Sequence, residues 1–302
     1  MSDDSTILLS DIKSALQAAE NEAKSKSAAL LAVGGEINGN IFDLADGEIT
    51  LGRGAECGIC LEYAGISREH LKVVVKDEKV ALYDLQSRNG TFLNNEKISK
   101  PLLLKKGDII KIGSIALKYL PKGDPERLTY DKLQREANTD GLTQCFNKKY
   151  FNKNCELEVK KSKVTGTPLS LILFDLDHFK SLNDNYGHDA GDFVLKEMSD
   201  LVRKHAIRET DLFARYGGEE FVILLPEINL KKAFQIAEKI RMTIESFKFI
   251  YDKKELPVTC SIGVADYRRG VENGKDLFKR ADTAVYKSKD NGRNMCTFFR
   301  ED

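Results

Sequence analysis

Two acidic motifs in the second half of the chain carry side chains suited to binding a metal ion. Asp175 and Asp177 follow the apolar run Leu169–Phe174, which predicts a buried strand. Carboxylates at the end of a buried strand are costly unless a cation or hydrogen-bond donors offset their charge. Such hard oxygen ligands favour magnesium. For Asp177, a solvated turn acid that caps the next element is the simpler alternative.

The second acidic motif is built around two glycines. Glu219 and Glu220 follow Gly217 and Gly218 between two strand-like runs. This arrangement predicts a β-hairpin, because glycines allow a tight turn and let a bulky ligand approach the backbone. If the strands of the two motifs are neighbours, Asp175 and Glu219 converge on one metal site. Converging carboxylates with magnesium and phosphates are used for phosphoryl or nucleotidyl transfer.

Two further charged pairs have both a functional and an ordinary interpretation. Lys289 and Arg293 stand four residues apart at the predicted end of a helix, where they suit a phosphate or simply complement the helix dipole. Arg208 and Asp211 lie just before the glycine hairpin. As a lone RxxD, this second pair is equally consistent with an exposed salt bridge, which contributes little stability.

Three polar clusters in the first half lie between predicted strands. They are Gly52-Arg53, Ser67-Arg68-Glu69-His70 and Ser87-Arg88-Asn89-Gly90-Thr91. Arginine, a serine hydroxyl and asparagine can together hold a phosphate and the peptide beside it. The clusters contain no carboxylate pair and no nucleophile–base pair, so binding is favoured over catalysis. Taken singly, each is better explained by a hairpin turn or a surface charge.

The elements that must position these residues fall into two groups. Between Leu30 and Leu120 short apolar runs alternate with Gly, Asn and Asp turns, which predicts an all-β sandwich. Asp124 and Pro125 then predict the start of a connector helix. From Thr139 onward helical and strand patterns alternate, which predicts an α/β domain. The predicted boundaries are 1–28 for a flexible tail, 29–120 for the sandwich, 121–138 for the connector and 139–302 for the α/β domain.

Length and composition limit the function classes. The 302 residues suggest two domains, and 47 Lys+Arg balance 47 Asp+Glu. This balance argues against a general nucleic-acid or membrane-surface binder. The apolar runs are too short to span a membrane and the acidic N-terminus does not resemble a secretory signal, so we expect a cytoplasmic protein. Cys57 and Cys60 form an isolated CxxC, which favours reduced structural thiols over zinc.

The three polar clusters, in this order and spacing, closely resemble a forkhead-associated (FHA) domain over roughly residues 30–120. The family pattern of GR, SxxH and NG is complete here. The resemblance implies binding of phosphothreonine peptides, with Arg53 and Ser67 on the phosphate and Asn89 on the peptide backbone. It assigns His70 and Gly52 to holding the loops. Further peptide contacts are implied for Arg68, Ser87 and Arg88.

The acidic N-terminal tail contains a possible ligand for such a domain. Thr6 follows Asp3 and Asp4, and Leu9 stands three positions later, where FHA domains commonly read a second side chain. A tether of roughly 20 residues would give a high effective concentration for binding in cis. We predict that phosphorylated Thr6 binds the Arg53/Ser67 site in cis or trans, the alternative being an ordinary disordered tail. Titration of a tail-deleted protein with the Thr6 phosphopeptide tests this prediction.

The second half resembles a GGDEF-family diguanylate cyclase over about residues 137–302. RYGGEEF carries the resemblance, with FDLDHFKSLND upstream and ADTAVYKSKDNGRN downstream. GGEEF in place of GGDEF keeps the carboxylate, and Cys145 stands where leucine is usual. The resemblance implies condensation of two GTP into cyclic di-GMP with release of two pyrophosphates. Each domain binds one GTP, so a homodimer is implied; an inactive cyclic di-GMP receptor or a phosphopeptide-binding scaffold remain alternatives.

Site residues follow from the same resemblance. Asp175, Glu219 and the Leu176 carbonyl are implied to hold Mg²⁺ or Mn²⁺, two ions per active site, and Glu219 is the implied base for the 3′-hydroxyl. Catalytic roles are implied for Glu219, Glu220, Lys180 and Arg215. Substrate contacts are implied for Asn183, His188, Asp192, Lys180, Lys289 and Arg293.

The RxxD pair acquires a role from this context. Arg208 and Asp211 are implied to bind the cyclic di-GMP product and to inhibit the enzyme. Lys239 and Arg241 are further candidates for the second face of that product site.

Overall fold

The computed structural model describes residues 27–35, 37–268 and 270–300. The chain forms two compact units whose boundary falls between Gln134 and Arg135, inside the predicted connector. The predictions made for the N-terminal tail, including the ligand role of Thr6, lie outside the described residues.

The first unit is the predicted β-sandwich, built from two sheets. One sheet contains β1 (Ala28–Gly34), β2 (Ile41–Leu44), β7 (Phe92–Leu93), β8 (Glu96–Lys97), β10 (Ile109–Ile112) and β11 (Ile115–Leu120), in the spatial order β2-β1-β11-β10-β7-β8. The other contains β3 (Gly47–Gly52), β4 (Ile59–Cys60), β5 (Leu71–Lys76), β6 (Lys79–Asp84) and β9 (Leu102–Leu103), in the order β4-β3-β5-β6-β9.

Alternation of side chains along the strands makes the core of the sandwich. In β5, Leu71, Val73 and Val75 are buried, while Lys72 between them is only half-buried. Successive side chains in a strand point to opposite faces, so this pattern directs one face inward. Buried side chains from both sheets pack into one hydrophobic cluster. The sandwich therefore supplies a rigid frame for the loops that carry the three polar clusters.

A helix, α1 (Pro125–Asn138), begins where the sequence predicts it. Asp124 Oδ1 accepts a hydrogen bond from the Glu126 backbone N–H at 3.0 Å, which is the expected N-cap interaction. Its buried Arg127 forms ion pairs with Asp43 and Asp131, each at 3.0 Å.

The second unit is the predicted α/β domain. Its six-stranded sheet contains β12 (Phe146–Asn147), β13 (Leu169–Leu176), β14 (Leu212–Gly217), β15 (Glu220–Pro226), β18 (Cys260–Asp266) and β19 (Cys296–Phe298), in the order β12-β14-β15-β13-β18-β19. A separate small hairpin consists of β16 (Phe249–Tyr251) and β17 (Lys254–Leu256). The helices are α2 (Lys148–Thr165), α3 (Phe179–Tyr186), α4 (His188–His205), α5 (Leu230–Ser246) and α6 (Gly274–Asp290).

The central strand β13 is buried on both faces. Ile172 and Phe174 pack into a cluster with residues of α3, α4 and α5. Leu171 and Leu173 pack into a second cluster with residues of α2 and α6. A strand covered on both faces reads as a continuous apolar run, which explains the sequence of this segment. The same alternation places Asp175, at the strand end, on the face covered by α6.

The chain offers no candidate for a membrane span within the described ranges, since none of their helices is long and apolar enough to cross a bilayer. Cys57 is a free thiol whose Sγ donates to the Arg68 carbonyl at 3.0 Å, and Cys60 is free and exposed. Burial is the main cause that raises the pKa of both thiols. These observations agree with structural thiols.

Candidate functional site

The glycine hairpin forms as predicted and is tied down by an arginine. Strands β14 and β15 pair antiparallel, and Gly218 between them has a φ of +38°. Arg215 Nε donates to the Gly218 carbonyl at 2.8 Å, and Arg215 Nη1 lies 3.2 Å from Asp140 Oδ1. The guanidinium is therefore engaged within the turn. These contacts suit a residue that positions the hairpin rather than one that contacts a substrate.

Asp175 lies at the meeting point of the two acidic motifs. It pairs in register with Glu220 on β15 and with Ser261 on β18. Lys289 Nζ from α6 lies 2.9 Å from Asp175 Oδ2. Burial raises the pKa of Asp175 to about 6; Lys289 opposes this shift, and the nearby charges of Glu219 and Glu220 add to it. The site therefore holds more negative charge than one lysine offsets.

The donor set at this strand end consists of oxygen atoms. Asp175 and Glu219 contribute carboxylates, and the Leu176 amide donates to the Glu219 carbonyl at 3.4 Å, which keeps the hairpin beside the end of β13. Within the described ranges, no three His, Cys, Asp or Glu side chains gather closely enough to hold a metal on their own. Oxygen donors with excess negative charge fit Mg²⁺, which usually keeps waters and substrate phosphates among its ligands.

Asn183 on α3 carries a buried acceptor without a donor. Its Oδ1 is shielded from solvent and forms no hydrogen bond. The side chain fits only because residue 191 is glycine, since a Cβ there would lie 1.9 Å from Asn183 Oδ1. A buried unpaired acceptor is costly unless a ligand supplies the donor. The predicted substrate residues near it in sequence, Lys180, His188 and Asp192, are exposed on α3 and α4.

Asp177 is not the solvated capping residue that the simpler alternative proposed. It is buried, and it accepts hydrogen bonds from Thr259 Oγ1 at 2.8 Å and Ser261 Oγ at 2.6 Å. A third hydrogen bond comes from the Asn294 backbone N–H at 3.0 Å. Helix α3 begins after His178 without a side-chain cap. The capping interpretation is therefore wrong, because donors from distant segments surround the buried carboxylate.

The RxxD pair forms a closed ion pair at the edge of a cavity. Arg208 Nη2 lies 2.6 Å from Asp211 Oδ1, and the Arg208 backbone N–H donates to Asp211 Oδ2 at 2.8 Å. A cavity of about 420 Å³ beside this pair is also lined by Arg135, Arg203 and Phe213. Cations and an aromatic ring next to open space suit an anionic ligand with a planar group.

The candidates for the second face of the product site do not line this cavity. Arg241 is engaged with Glu238 at 3.1 Å and Glu245 at 2.7 Å. Lys239 lies beside Phe234 and Met242 in a different surface depression.

In the first unit, the three polar clusters converge on one cavity of about 400 Å³. Its lining includes Arg53, Ser67, Arg68, Arg88 and Asn89. The three arginines are exposed, and none forms an ion pair with another residue in the described ranges. Ser67 Oγ accepts from the Arg88 backbone N–H at 3.1 Å, so its hydroxyl can still donate to a ligand. Asn89 Nδ2 donates to the Gly65 carbonyl at 2.8 Å.

Ser87 is the exception among the predicted peptide contacts. Its hydroxyl donates to Asp84 Oδ1 at 2.7 Å, and Thr91 Oγ1 donates to the same oxygen at 2.6 Å. Ser87 does not line the cavity. Its role here is therefore to hold the loop. The nearby Asp84 gave no separate signal in the sequence.

Two buried features set the shape of this cavity. His70 Nδ1 accepts from the Ser67 backbone N–H at 3.1 Å, and His70 Nε2 lies 3.2 Å from the Gly90 carbonyl. One imidazole thus links two loops. At Gly52 a Cβ would lie 1.9 Å from the Arg68 carbonyl oxygen, so only glycine fits. These contacts match the loop-holding roles expected of both residues.

Comparison with known proteins agrees with this two-part organisation. The family model "Diguanylate cyclase, GGDEF domain" matches residues 137–295, which is more than half of the chain, and the FHA domain model matches residues 49–113. The chain is similar to Diguanylate cyclase A of Treponema denticola, with 46% identity over 129 residues, covering 43% of this chain and 34% of the relative. Response regulator PleD of Caulobacter vibrioides is 42% identical over 160 residues, covering 52% of this chain and 35% of PleD. The chain thus spans about a third of the length of these curated relatives.

Solved structures resemble the second unit. The GGDEF domain of DgcB from Caulobacter crescentus in complex with c-di-GMP superposes with a TM-score of 0.52 at 34% identity, covering 54% of this chain and 93% of that one. Diguanylate cyclase SiaD in complex with its activator SiaC, from Pseudomonas aeruginosa, has a TM-score of 0.53 at 34% identity, covering 57% and 66%. The chain therefore belongs to the GGDEF diguanylate cyclase family and carries an FHA domain ahead of its GGDEF domain.

Proposed function

We propose that the protein condenses two GTP molecules into cyclic di-GMP and releases two pyrophosphates. The observation that carries the proposal is the convergence of the half-buried glutamates of the GGEEF hairpin with the buried Asp175, whose carboxylate is paired with Lys289. This acidic strand end suits a metal–nucleotide complex, because the metal offsets the carboxylates and the triphosphate offsets the nearby lysine and arginine.

Asp175, Glu219 and the Leu176 carbonyl would hold Mg²⁺ or Mn²⁺, two ions per site. When bound, the ions would supply electrostatic stabilisation of charge on the reacting phosphate. Glu219, half-buried in the hairpin, accepts the proton from the 3′-hydroxyl that attacks the α-phosphorus of the second nucleotide. Glu220 lies beside the ribose or the ions, and Arg215 holds the hairpin in place.

Nucleotide recognition is divided between two groups of side chains. Asn183, with its unpaired acceptor, and Asp192 read the guanine edge, and His188 lies near the nucleotide. The terminal phosphates are bound by three cationic side chains, Lys180, Lys289 and Arg293. Each domain holds one GTP, so catalysis requires a homodimer in which two sites face each other.

Two regulatory functions complete the proposal. Arg208 and Asp211 bind cyclic di-GMP and restrain the enzyme, and the DgcB structure in complex with c-di-GMP supports a product site on this fold. The FHA cavity binds phosphothreonine peptides from a partner protein or from the chain's own tail. Binding through Thr6 remains a prediction, as does cytoplasmic location.

Incubation with GTP and Mg²⁺, followed by chromatography of the products, tests the activity. We expect cyclic di-GMP from the wild-type chain and at least a hundredfold less from Glu219→Ala, because the variant lacks both a metal ligand and the base. Absence of product from the wild-type chain would contradict the proposal. It would leave an inactive cyclic di-GMP receptor or a phosphopeptide-binding scaffold, which nucleotide and peptide titrations distinguish.

A further inference from the structure

Asp175 and Asp177 leave the same strand end but have different partners. Asp175 is in contact with Lys289 at 2.9 Å. Asp177 instead accepts three hydrogen bonds, two from hydroxyls at the start of β18 and one from the backbone N–H of Asn294. Its own backbone N–H donates to the Thr259 carbonyl at 2.9 Å. Both carboxylate oxygens of Asp177 thus accept hydrogen bonds from protein groups, and the bond from Asn294 holds the turn that follows α6.

That turn has a backbone conformation which needs support. Gly292, Arg293 and Asn294 have φ values of +113°, +66° and +46°. Left-handed conformations are unfavourable for residues with a Cβ, and consecutive ones persist only where the surroundings fix them. Asparagine tolerates this region better than most residues, but arginine does not. The conformation of Arg293 is therefore imposed by its neighbours.

A second anchor holds the same turn from helix α5. Asn294 Nδ2 donates to Glu245 Oε1 at 2.6 Å, and Arg241 Nη1 donates to Asn294 Oδ1 at 3.2 Å. Arg241 and Glu245 are themselves paired at 2.7 Å. Asn294 is thus bound through its backbone by Asp177 and through its side chain by α5.

Two of the cations assigned to phosphate, Lys289 and Arg293, precede Asn294 in the chain. Lys289 lies in the last turn of α6, and Arg293 directly precedes Asn294 and is exposed. The Arg293 backbone N–H donates to the Ser288 carbonyl at 3.0 Å, which ties the turn to the helix end. A shift of Asn294 would therefore move Arg293 and loosen the end of α6 beneath Lys289.

We propose that Asp177 and Asn294 are positioning residues that fix Lys289 and Arg293 in the geometry needed to hold the triphosphate. The inference rests on the proposed function, and it assigns distinct roles to the two aspartates of one motif. Asp175 faces the cation side of the substrate site. Asp177 sets the phosphate side without contacting the substrate.

The residues assigned to the guanine edge should not be affected when the anchor is lost. Asn183 and Asp192 lie on α3 and α4, whereas the side-chain hydrogen bonds of Asp177 run to the start of β18 and to Asn294. Loss of the Asp177 anchor should therefore weaken binding of a triphosphate while leaving binding of a monophosphate unchanged. A general collapse of the site would weaken both equally.

The test is equilibrium titration of the full-length protein with 3′-deoxy-GTP and with GMP, each with Mg²⁺. The deoxy nucleotide lacks the attacking hydroxyl, so turnover does not disturb the measurement. For Asp177→Asn we expect the dissociation constant of 3′-deoxy-GTP to rise about tenfold and that of GMP to stay within about twofold. Asp266→Asn, the same change at the far end of β18, should alter neither constant.

Asn294→Gly separates the two anchors. Glycine keeps the backbone N–H for Asp177 and accepts the left-handed conformation, but it loses the contacts to α5. We expect an intermediate rise of about threefold for 3′-deoxy-GTP. Thr259→Val, which removes one hydroxyl donor to Asp177 and keeps the side-chain shape, should act in the same direction and serves if Asp177→Asn fails to fold.

Hydrogen exchange of the ligand-free protein gives a reading that is independent of nucleotide binding. The Asn294 amide should exchange faster in Asp177→Asn and in Thr259→Val than in wild type. Equal losses of affinity for 3′-deoxy-GTP and GMP in the variants would overturn the inference. So would a wild-type ratio of the two dissociation constants together with an unchanged exchange rate of the Asn294 amide. A wild-type chain that shows no preference for the triphosphate would overturn the proposed function, and the inference with it.

Discussion

The FHA cavity and the strand end at Asp175 handle charge in opposite ways. Around the cavity, three exposed arginines form no ion pair within the described ranges. The buried imidazole of His70 forms hydrogen bonds to two of the loops and links them. At the strand end, Asp175 is buried beside the half-buried glutamates of the hairpin, and the nearby Lys289 is already paired with Asp175.

This difference corresponds to two kinds of ligand. A receptor for a phosphorylated side chain needs only cations that are free to bind, because the ligand brings negative charge alone. A site for a metal–nucleotide complex receives positive and negative charge together. Its own anionic and cationic side chains can therefore pair with each other while the ligand is absent. Burial is the main cause that raises the pKa of Asp175 to about 6, and the charges of Glu219 and Glu220, which a metal would offset, add to the shift.

Neutralising the acidic site and measuring both functions tests whether the two sites act independently. Asp175→Asn should lower cyclic di-GMP formation at least a hundredfold, since it removes a metal ligand at the reacting phosphate. Its phosphothreonine-peptide affinity should stay within about twofold, because the two ligands contact different units. Chromatography and calorimetry measure the two effects. Asp266→Asn is the matched control, and loss of peptide binding in Asp175→Asn would show that the sites are not independent.

The reverse experiment removes a free cation from the FHA cavity. Arg53→Ala should weaken binding of a phosphothreonine peptide about tenfold to hundredfold, which is the range for a hydrogen bond to a charged group. The rate of cyclic di-GMP formation without peptide should not change. Lys122→Ala, an exposed cation that is paired with Glu78 elsewhere on the sandwich, is the control. Wild-type affinity in Arg53→Ala would remove this arginine from the phosphate site.

The RxxD pair tests whether a cation that is already paired can still bind a ligand. Arg208→Ala should weaken cyclic di-GMP binding about tenfold and let more product accumulate, because one charged contact is lost. The loss is smaller than a free cation would cause, since Arg208 exchanges Asp211 for the ligand. Calorimetry with cyclic di-GMP gives the affinity, and Lys204→Ala on the neighbouring helix end is the control. Unchanged product titres would indicate a purely structural pair.

The smallest effect concerns the frame of the FHA cavity. Burial is the main cause that lowers the pKa of His70 below its usual value, with Gly90 and Asp84 opposing the shift. The unfolded chain therefore binds a proton near pH 6.5, where the folded domain does not. Stability is fully present above that pH and is lost as the pH falls towards the folded pKa. The slope cannot exceed about 1.4 kcal/mol per pH unit for one proton.

Hydrogen exchange of the β5 amides, corrected for intrinsic rates, measures this loss in the full chain. His70→Gln should be less stable at neutral pH but should show a flatter dependence between pH 7 and pH 5. An equal slope in wild type and variant would assign the acid sensitivity to another group.

Much of the fold is predictable because its patterns are local. The sandwich strands show alternation with a period of two, and the buried strand Leu169–Leu176 contains the apolar run Leu169–Phe174. The glycine hairpin and the N-cap at Asp124 are also local signals. The small hairpin between β16 and β17 lacked such a signal, because Asp252 and Lys253 take the positive φ values that Asn-Gly usually provides.

The roles of individual polar residues were harder to predict because they depend on distant partners. Asp177 is separated by 82 residues from Thr259 and by 117 from Asn294, so its burial could not be seen from its neighbours in sequence. A serine at position 87 could bind a peptide, but the Ser87 hydroxyl donates its hydrogen bond to Asp84 instead. The convergence of Arg53, Ser67 and Asn89, in contrast, followed from their placement in loops of one sandwich.

The ratio of pyrophosphate to cyclic di-GMP formed from GTP by the wild-type chain tests the central claim most directly. Both products are quantified in one reaction with Mg²⁺, with Glu219→Ala run alongside to account for background hydrolysis. Condensation of two nucleotides predicts two pyrophosphates for each cyclic di-GMP and at least a hundredfold less cyclic di-GMP from the variant. Release of inorganic phosphate without cyclic di-GMP, or identical traces for the two proteins, would contradict the assignment of a cyclase site to Asp175 and the GGEEF hairpin.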